Sequence, residues 1–295
     1  MNQVTHKQHY VWREYLKPWC TLKGDAYFIW WNNGKITRNT DVYDILREKD
    51  FYEFKHLNEL EMNILENRIV TLNEYEQFKQ GNEDMLNQIK LLNKAIEINN
   101  SEKTRNALIQ LGEDFQSNVE KAGLKYLKFI KDDNLSFYNF SDDNSITEFY
   151  EFLIMQYLRT KYMRNKIISS INSTLEKNFR SKIDAGKIAN YTPMFLILAM
   201  VYSMCINQFD LTVLKSTNCK FIVSDQPIYN IAEDDGVNFD LFYPIAPDKA
   251  IYLKKGKGSS SIKRISDNEV NQYNFMTYKH KDVFIMSDEE SYVKL

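Results

Sequence analysis

Between Pro18 and Pro193 the chain carries no proline, and only six glycines interrupt that span. Proline removes a backbone donor and clashes with the preceding turn, and each glycine weakens a helix by roughly 1 kcal/mol. A stretch with none of the first and few of the second leaves long helices unopposed. Apolar positions repeat accordingly. Leu57, Leu60, Ile64, Leu72 and Tyr75 keep broadly to one face of a first helix, which the Gly81-Asn82 pair is expected to end. Met85, Ile89, Leu92 and Ile96 make a second stripe. Leu108, Leu111, Phe115, Val119, Ala122, Tyr126 and Phe129 alternate steps of three and four, as a two-helix seam does. Residues 57–132 should therefore form a helical hairpin or bundle. Asp132 to Asn144 is polar and reads as a loop, and Ile146 to Phe179 returns to helical texture. Met194 to Ile206 is apolar for about 13 residues, short of the roughly 20 that span a bilayer; a buried core helix is expected, and no membrane.

Strand signals lie at the two ends. Ala26 to Trp31 and Lys35 to Arg38 flank Asn33-Gly34, a pair suited to a tight hairpin. Leu211 to Leu214, Lys220 to Val223, Leu241 to Ile245 and Ala250 to Lys254 are short β-leaning runs separated by turn residues. The expectation is one α+β domain over 1–295, predominantly helical, with a small, mainly antiparallel β-sheet formed by the N-terminal hairpin and the C-terminal strands. Lys254 to Arg264, basic and rich in Gly and Ser, reads first as a hairpin tip and only second as a phosphate cradle.

With 43% hydrophobic and 14% aromatic residues the chain can bury a proper core, and a net charge of −2 excludes a globally basic nucleic-acid coat. Cys20, Cys205 and Cys219 are odd in number and widely spaced, against a disulfide framework or a zinc ribbon. They are expected as reduced, mostly buried thiols. No secretory signal is visible at the N-terminus, so the cytoplasm is the expected location.

The run His9-Tyr10-Val11-Trp12-Arg13-Glu14-Tyr15-Leu16 resembles the HYVPQFYL opening of a bacterial family catalogued as domain of unknown function 4238. Phe221-Ile222-Val223-Ser224-Asp225-Gln226-Pro227-Ile228 resembles its FITSDNPV segment, and Leu158-Arg159 with Arg164 lies where the family has an LR helix and a following Arg. Phe51-Tyr52, the helix with Glu61, Pro244 to Pro247, and Val270-Asn271 with Asn274 are weaker landmarks. Trp12 and Arg13 depart from the family's Pro and Gln, Val223 from its Thr, and Gln226 from its Asn. The resemblance implies a stand-alone cytoplasmic bacterial protein. A role in phage defence is expected by analogy alone.

Candidate chemistry gathers on the matched residues. Ser224 and Asp225 fall at a strand end before Pro227, a place for a site and equally for a turn cap. His9 and Arg13, four apart, would share a helical face as a proton carrier beside a fixed cation; the structural alternative is a hydrogen-bonded core histidine. If His9 meets Asp225 across the fold, the carboxylate orients the ring for acid–base work. Gln156 and Arg159 on one helix, with Arg164 beyond, offer donors to an anion such as phosphate, or else pair with acids such as Glu148 and Glu151. Four histidines without i, i+4 spacing and no HExxH give no metal ligand set, although a carboxylate-only magnesium site stays open; no other cofactor is expected. The leading expectation is a hydrolase of nucleic acid or nucleotides, nuclease-like. His9, Asp225 and Ser224 would be catalytic, and Arg159, Arg164, Gln156, Arg13 and Asn274 substrate-binding. RNA or a phosphorylated small molecule is the expected partner. The alternative is a non-enzymatic module that binds a protein partner, with these polar residues as a buried structural network.

Overall fold

The structure is a computed structural model that describes residues 4–21, 26–39, 41–71, 76–99, 101–140, 143–232 and 239–294. Its helices are α1 (Arg13–Leu16), α2 (Glu59–Val70), α3 (Glu76–Ile98), α4 (Glu102–Lys131), α5 (Asp143–Leu158), α6 (Lys161–Thr174), α7 (Lys177–Arg180), α8 (Ala185–Asn207) and α9 (Asp267–His280). The strands are β1 (Lys7–His9), β2 (Tyr27–Trp31), β3 (Ile36–Asn39), β4 (Arg47–Lys49), β5 (Phe209–Lys215), β6 (Val223–Ser224), β7 (Tyr229–Asn230), β8 (Leu241–Ala246), β9 (Lys249–Lys255), β10 (Ser260–Arg264) and β11 (Phe284–Ser287). The fold is α+β and predominantly helical.

Leu72 and Tyr75 lie outside the described residues. The helix break expected at Gly81-Asn82 is absent, because α3 runs through both. Gly81 is a packing residue there: a Cβ would come 3.1 Å from the Leu198 side chain on α8. The seam drawn along α4 is also displaced. Leu108 and Tyr126 are buried as expected, but Leu111 and Phe115 are half-exposed, and the buried face also carries Ile109, Gly112, Gln116, Glu120, Gly123, Leu127 and Ile130. Small residues occupy it because neighbours come too close for a side chain. A Cβ on Gly112 would sit 2.5 Å from the Tyr52 carbonyl, and one on Gly123 would overlap the Phe152 ring.

The long helical run from Ile146 breaks after Leu158, and Thr160 caps α6 by accepting from the Met163 N–H at 3.3 Å. Helix α8 starts at Ala185 and carries Pro193 inside it, so its 23 residues are long and apolar enough to cross a membrane by length and composition. Ile188, Tyr191, Phe195, Val201 and Met204 are nevertheless buried, and α8 packs on α2, α3, α5 and α6.

The N-terminal hairpin forms with Gly34 at φ +76°, and β11 joins it to β6 in the order β3-β2-β11-β6. Instead of one sheet there are three among the described residues: this one, the five-stranded β10-β5-β9-β8-β7, and the pair β1-β4. The division falls at residues 224–229. β6 pairs with β11, β7 pairs with β8, and Pro227 between them has no N–H to continue a ladder. The hairpin expected around Lys254 to Arg264 does not form either. β10 lies on the far edge of β5 and parallel to it, and the crossing loop is held by the Asp210 carboxylate, which accepts from the Lys257 N–H at 3.0 Å and the Ser259 N–H at 2.8 Å. These N–H donors of the Gly/Ser loop are thus taken by a carboxylate of the chain itself. Cys20, Cys205 and Cys219 form no disulfide among the described residues and are only partly buried.

Candidate functional site

His9 and Arg13 do not share a helix: His9 ends β1, opposite Arg47 of β4, and Arg13 opens α1. The backbone of His9 is tied into the core by a buried node. Arg159, just past α5, donates from Nη2 to the His9 carbonyl, from Nη1 to Glu120 of α4, and from Nε to the Tyr52 hydroxyl at 2.9 Å. Tyr52 in turn donates its hydroxyl to the same His9 carbonyl at 3.0 Å, and its N–H goes to Gln8 at 2.8 Å. A buried guanidinium needs a compensating carboxylate and filled donors, and this one has them. Its acid is Glu120, whereas Glu148 pairs with Lys125 and Tyr126.

The half-buried His9 imidazole is held neutral. Burial is the main cause, and the positive potentials of Arg47, Arg159 and Arg13 add to it, so its pKa falls from 6.5 to about 4; the Ile45 carbonyl works weakly against them. Tyr10 next along is pushed upward by burial and by the negative charges of Asp225, Glu48 and Asp282. Asp225 is almost completely buried. Its carboxylate accepts the N–H groups of Asp282 at 2.9 Å, Val283 at 2.6 Å and Phe284 at 3.3 Å, tying the end of β6 to the start of β11. Burial outweighs those bonds and raises the Asp225 pKa to about 6. The neighbours that dominate each group's protonation differ: cations for His9, backbone amides for Asp225.

The other expected site residues are placed as follows. Ser224 caps its own turn, donating to the Gln226 carbonyl at 2.9 Å and accepting the Gln226 N–H at 3.2 Å. Gln226, where the resembling family has Asn, accepts from the Thr160 hydroxyl and donates to the Ile228 carbonyl at 2.6 Å. Asn274 straddles a bare stretch of chain, accepting from the Ile222 N–H at 3.0 Å and donating to the Lys220 carbonyl at 2.8 Å. Gln156 is buried with its Nε2 unpartnered. Arg13 donates to Glu14 at 3.3 Å at the surface. Arg164 donates to Asn190 Oδ1 at 2.9 Å and stacks on Phe51 at 5.4 Å.

The structure thus brings Arg159 and Arg164 to one cavity, places Arg13 and Arg47 in the field of His9, and seals Ser224, Asp225 and Asn274 into backbone bonds. Tyr52 was legible only as a landmark of the resemblance, with no role attached, and Arg47, Gln116 and Glu120 were not legible at all. The signal for the last two was the spacing Gly112, Gln116, Glu120, Gly123, a helical face of small and polar residues opposite the apolar stripe. Among the described residues no three His, Cys, Asp or Glu side chains come together as a metal site would require.

The profile of a family described as "Protein of unknown function (DUF4238)" matches residues 7–291. The chain belongs to this family. The match takes in every element of the site, from His9 to Asn274. No curated protein and no solved structure matches the chain.

Proposed function

We propose that the chain is a nuclease-like hydrolase of RNA, a nucleotide or another small phosphorylated molecule, working in the bacterial cytoplasm with phage defence as its setting. The observation that supports the chemistry is the half-buried His9 imidazole among Arg47, Arg159 and Arg13. A neutral imidazole in that field is hard to protonate until an anion arrives. A phosphate held by Arg13 and Arg47 offsets their charge and lifts the His9 pKa toward neutrality, where proton transfer is most effective. In this reading His9 carries the proton, Arg13 and Arg47 steady the phosphate, and Arg159 is a positioning residue acting through the His9 carbonyl. Asp225 orders residues 282–284. The slightly acidic chain favours a short or single-stranded substrate over long duplex.

The test is to incubate the protein with labelled RNA, single-stranded DNA, duplex DNA and a nucleotide panel, with and without magnesium. Cleavage that falls at least about a hundredfold in His9→Asn, with an unchanged melt, is the expected result. No turnover by folded protein in any lane moves the assignment to a protein-interaction module. One observation favours that second reading: Leu92, Leu111, Phe115 and Met194 line an apolar groove, and Leu111 and Phe115 are 49% and 38% exposed.

A further inference from the structure

A cavity of about 40 Å³ opens between α4, α6, α8 and the Phe51–Phe54 segment, and neither Ser224 nor Asn274 lines it. Four observations bear on what it holds. First, Arg164 contributes a cation with no acidic partner among the described residues: its guanidinium bonds the neutral Asn190 Oδ1 at 2.9 Å and the Gly186 carbonyl at 3.4 Å. Asp184, the N-cap of α8, accepts the Gly186 N–H at 2.9 Å and makes no ion pair with Arg164. Second, Arg159 lines the same cavity, compensated by Glu120 and, more weakly, by Glu113, whose own pKa burial raises. Third, Gln116 is 94% buried and lines the cavity, yet its Oε1 has no hydrogen-bond donor. Fourth, Pro193 on the wall cannot donate to the Ala189 carbonyl one turn earlier, so a second acceptor on this wall lacks its helical donor.

The remaining walls are apolar, from Phe54, Ile167 and Met194, which strengthens any charge interaction inside. A buried water occupies about 12 Å³ on this measure, so the space suits about three waters, or one tetrahedral oxyanion. The polar inventory decides between these: an unbalanced guanidinium asks for negative charge, and two acceptors ask for O–H donors. Phosphate near neutral pH supplies the charge together with one O–H donor as hydrogenphosphate or two as dihydrogenphosphate; sulfate, which carries no proton there, supplies only the charge. We propose that this cavity is a phosphate-binding site, separate from the His9 face and taking inorganic phosphate or the terminal phosphate of a small monoester between Arg164 and Gln116.

The test is isothermal titration of the full chain with inorganic phosphate, sulfate and AMP, together with the melting temperature at each concentration. Inorganic phosphate is expected to bind one per chain in His9→Asn, where this site alone is intact, and to raise its melting temperature, with sulfate at least tenfold weaker. Arg164→Met and Gln116→Leu should each weaken phosphate at least tenfold, while His9→Asn leaves it unchanged, which separates this site from the hydrolase reading. Should Arg164→Met fail to fold, Arg164→Lys keeps the charge, loses the planar fork, and is expected to weaken binding as well. In His9→Asn, AMP binding as tightly as phosphate marks a monoester as the occupant of the cavity; AMP excluded marks the free ion. No saturable binding at 10 mM phosphate, equal binding of sulfate, or full binding by Arg164→Met would overturn the assignment.

Discussion

Arg159 donates to the backbone carbonyl of His9, 150 residues earlier in the chain, and thereby fixes β1 to the end of α5. The same guanidinium meets Glu120 and Tyr52, so four elements converge on one buried cation. Removing it strands the buried Glu120 carboxylate and leaves the His9 carbonyl with the Tyr52 hydroxyl as its remaining side-chain donor. Arg159→Met should cost about 3–5 kcal/mol in chemical denaturation. Arg159→Met with Glu120→Gln should cost less than the two single changes added together, because the second removes the stranded charge.

The pH dependence carries two opposed contributions. His9 has a folded pKa near 4 against 6.5, so the unfolded chain binds more protons between those values and stability falls as pH drops from 6.5 to 4. Asp225 has a folded pKa near 6 against 3.8, so the folded chain binds more protons and stability falls as pH rises from 3.8 to 6. Melting curves across pH 4–7 should show both. Relative to wild type, His9→Asn should gain stability on acidification and Asp225→Asn should lose it.

Two glycines of long helices should respond oppositely to alanine. Gly123 faces the Phe152 ring with no room for a methyl group, and Gly123→Ala should cost at least about 1–3 kcal/mol by thermal melting. Gly81 faces only the flexible end of Leu198, and Gly81→Ala should be neutral or stabilise by up to about 1 kcal/mol through helix propensity.

Asn274 acts as a strand neighbour for Lys220 and Ile222. Asn274→Leu leaves the Ile222 N–H and the Lys220 carbonyl without partners and should cost about 1–3 kcal/mol each way the loss is read, in melting or in denaturant. Faster amide exchange at Ile222 should accompany it.

The helices were legible because their cause is local. Proline-free sequence and apolar periodicity located α4 almost to its ends, and Asn33-Gly34 marked the hairpin. What escaped depends on partners far along the chain. Nothing near Gly81 announces Leu198, and nothing near Gln116 or Glu120 announces Arg159; a polar residue on a buried face looks like solvent exposure until its partner is seen. β1 and β4 are three residues each and β11 four, too short for alternation to register. The candidate residues were drawn largely from two motifs more than 200 positions apart. Their burial, which divides the cations around His9 from the sealed Asp225 and Asn274, follows only from the packing.

The most direct measurement is the His9 pKa by nuclear magnetic resonance of histidine-labelled protein, with the signal assigned by its loss in His9→Asn. A value near 4 in the free protein that rises above about 6 with saturating AMP or a short RNA is the predicted result. A free value near 6.5, or no change on adding either ligand, would contradict an anion docking beside His9.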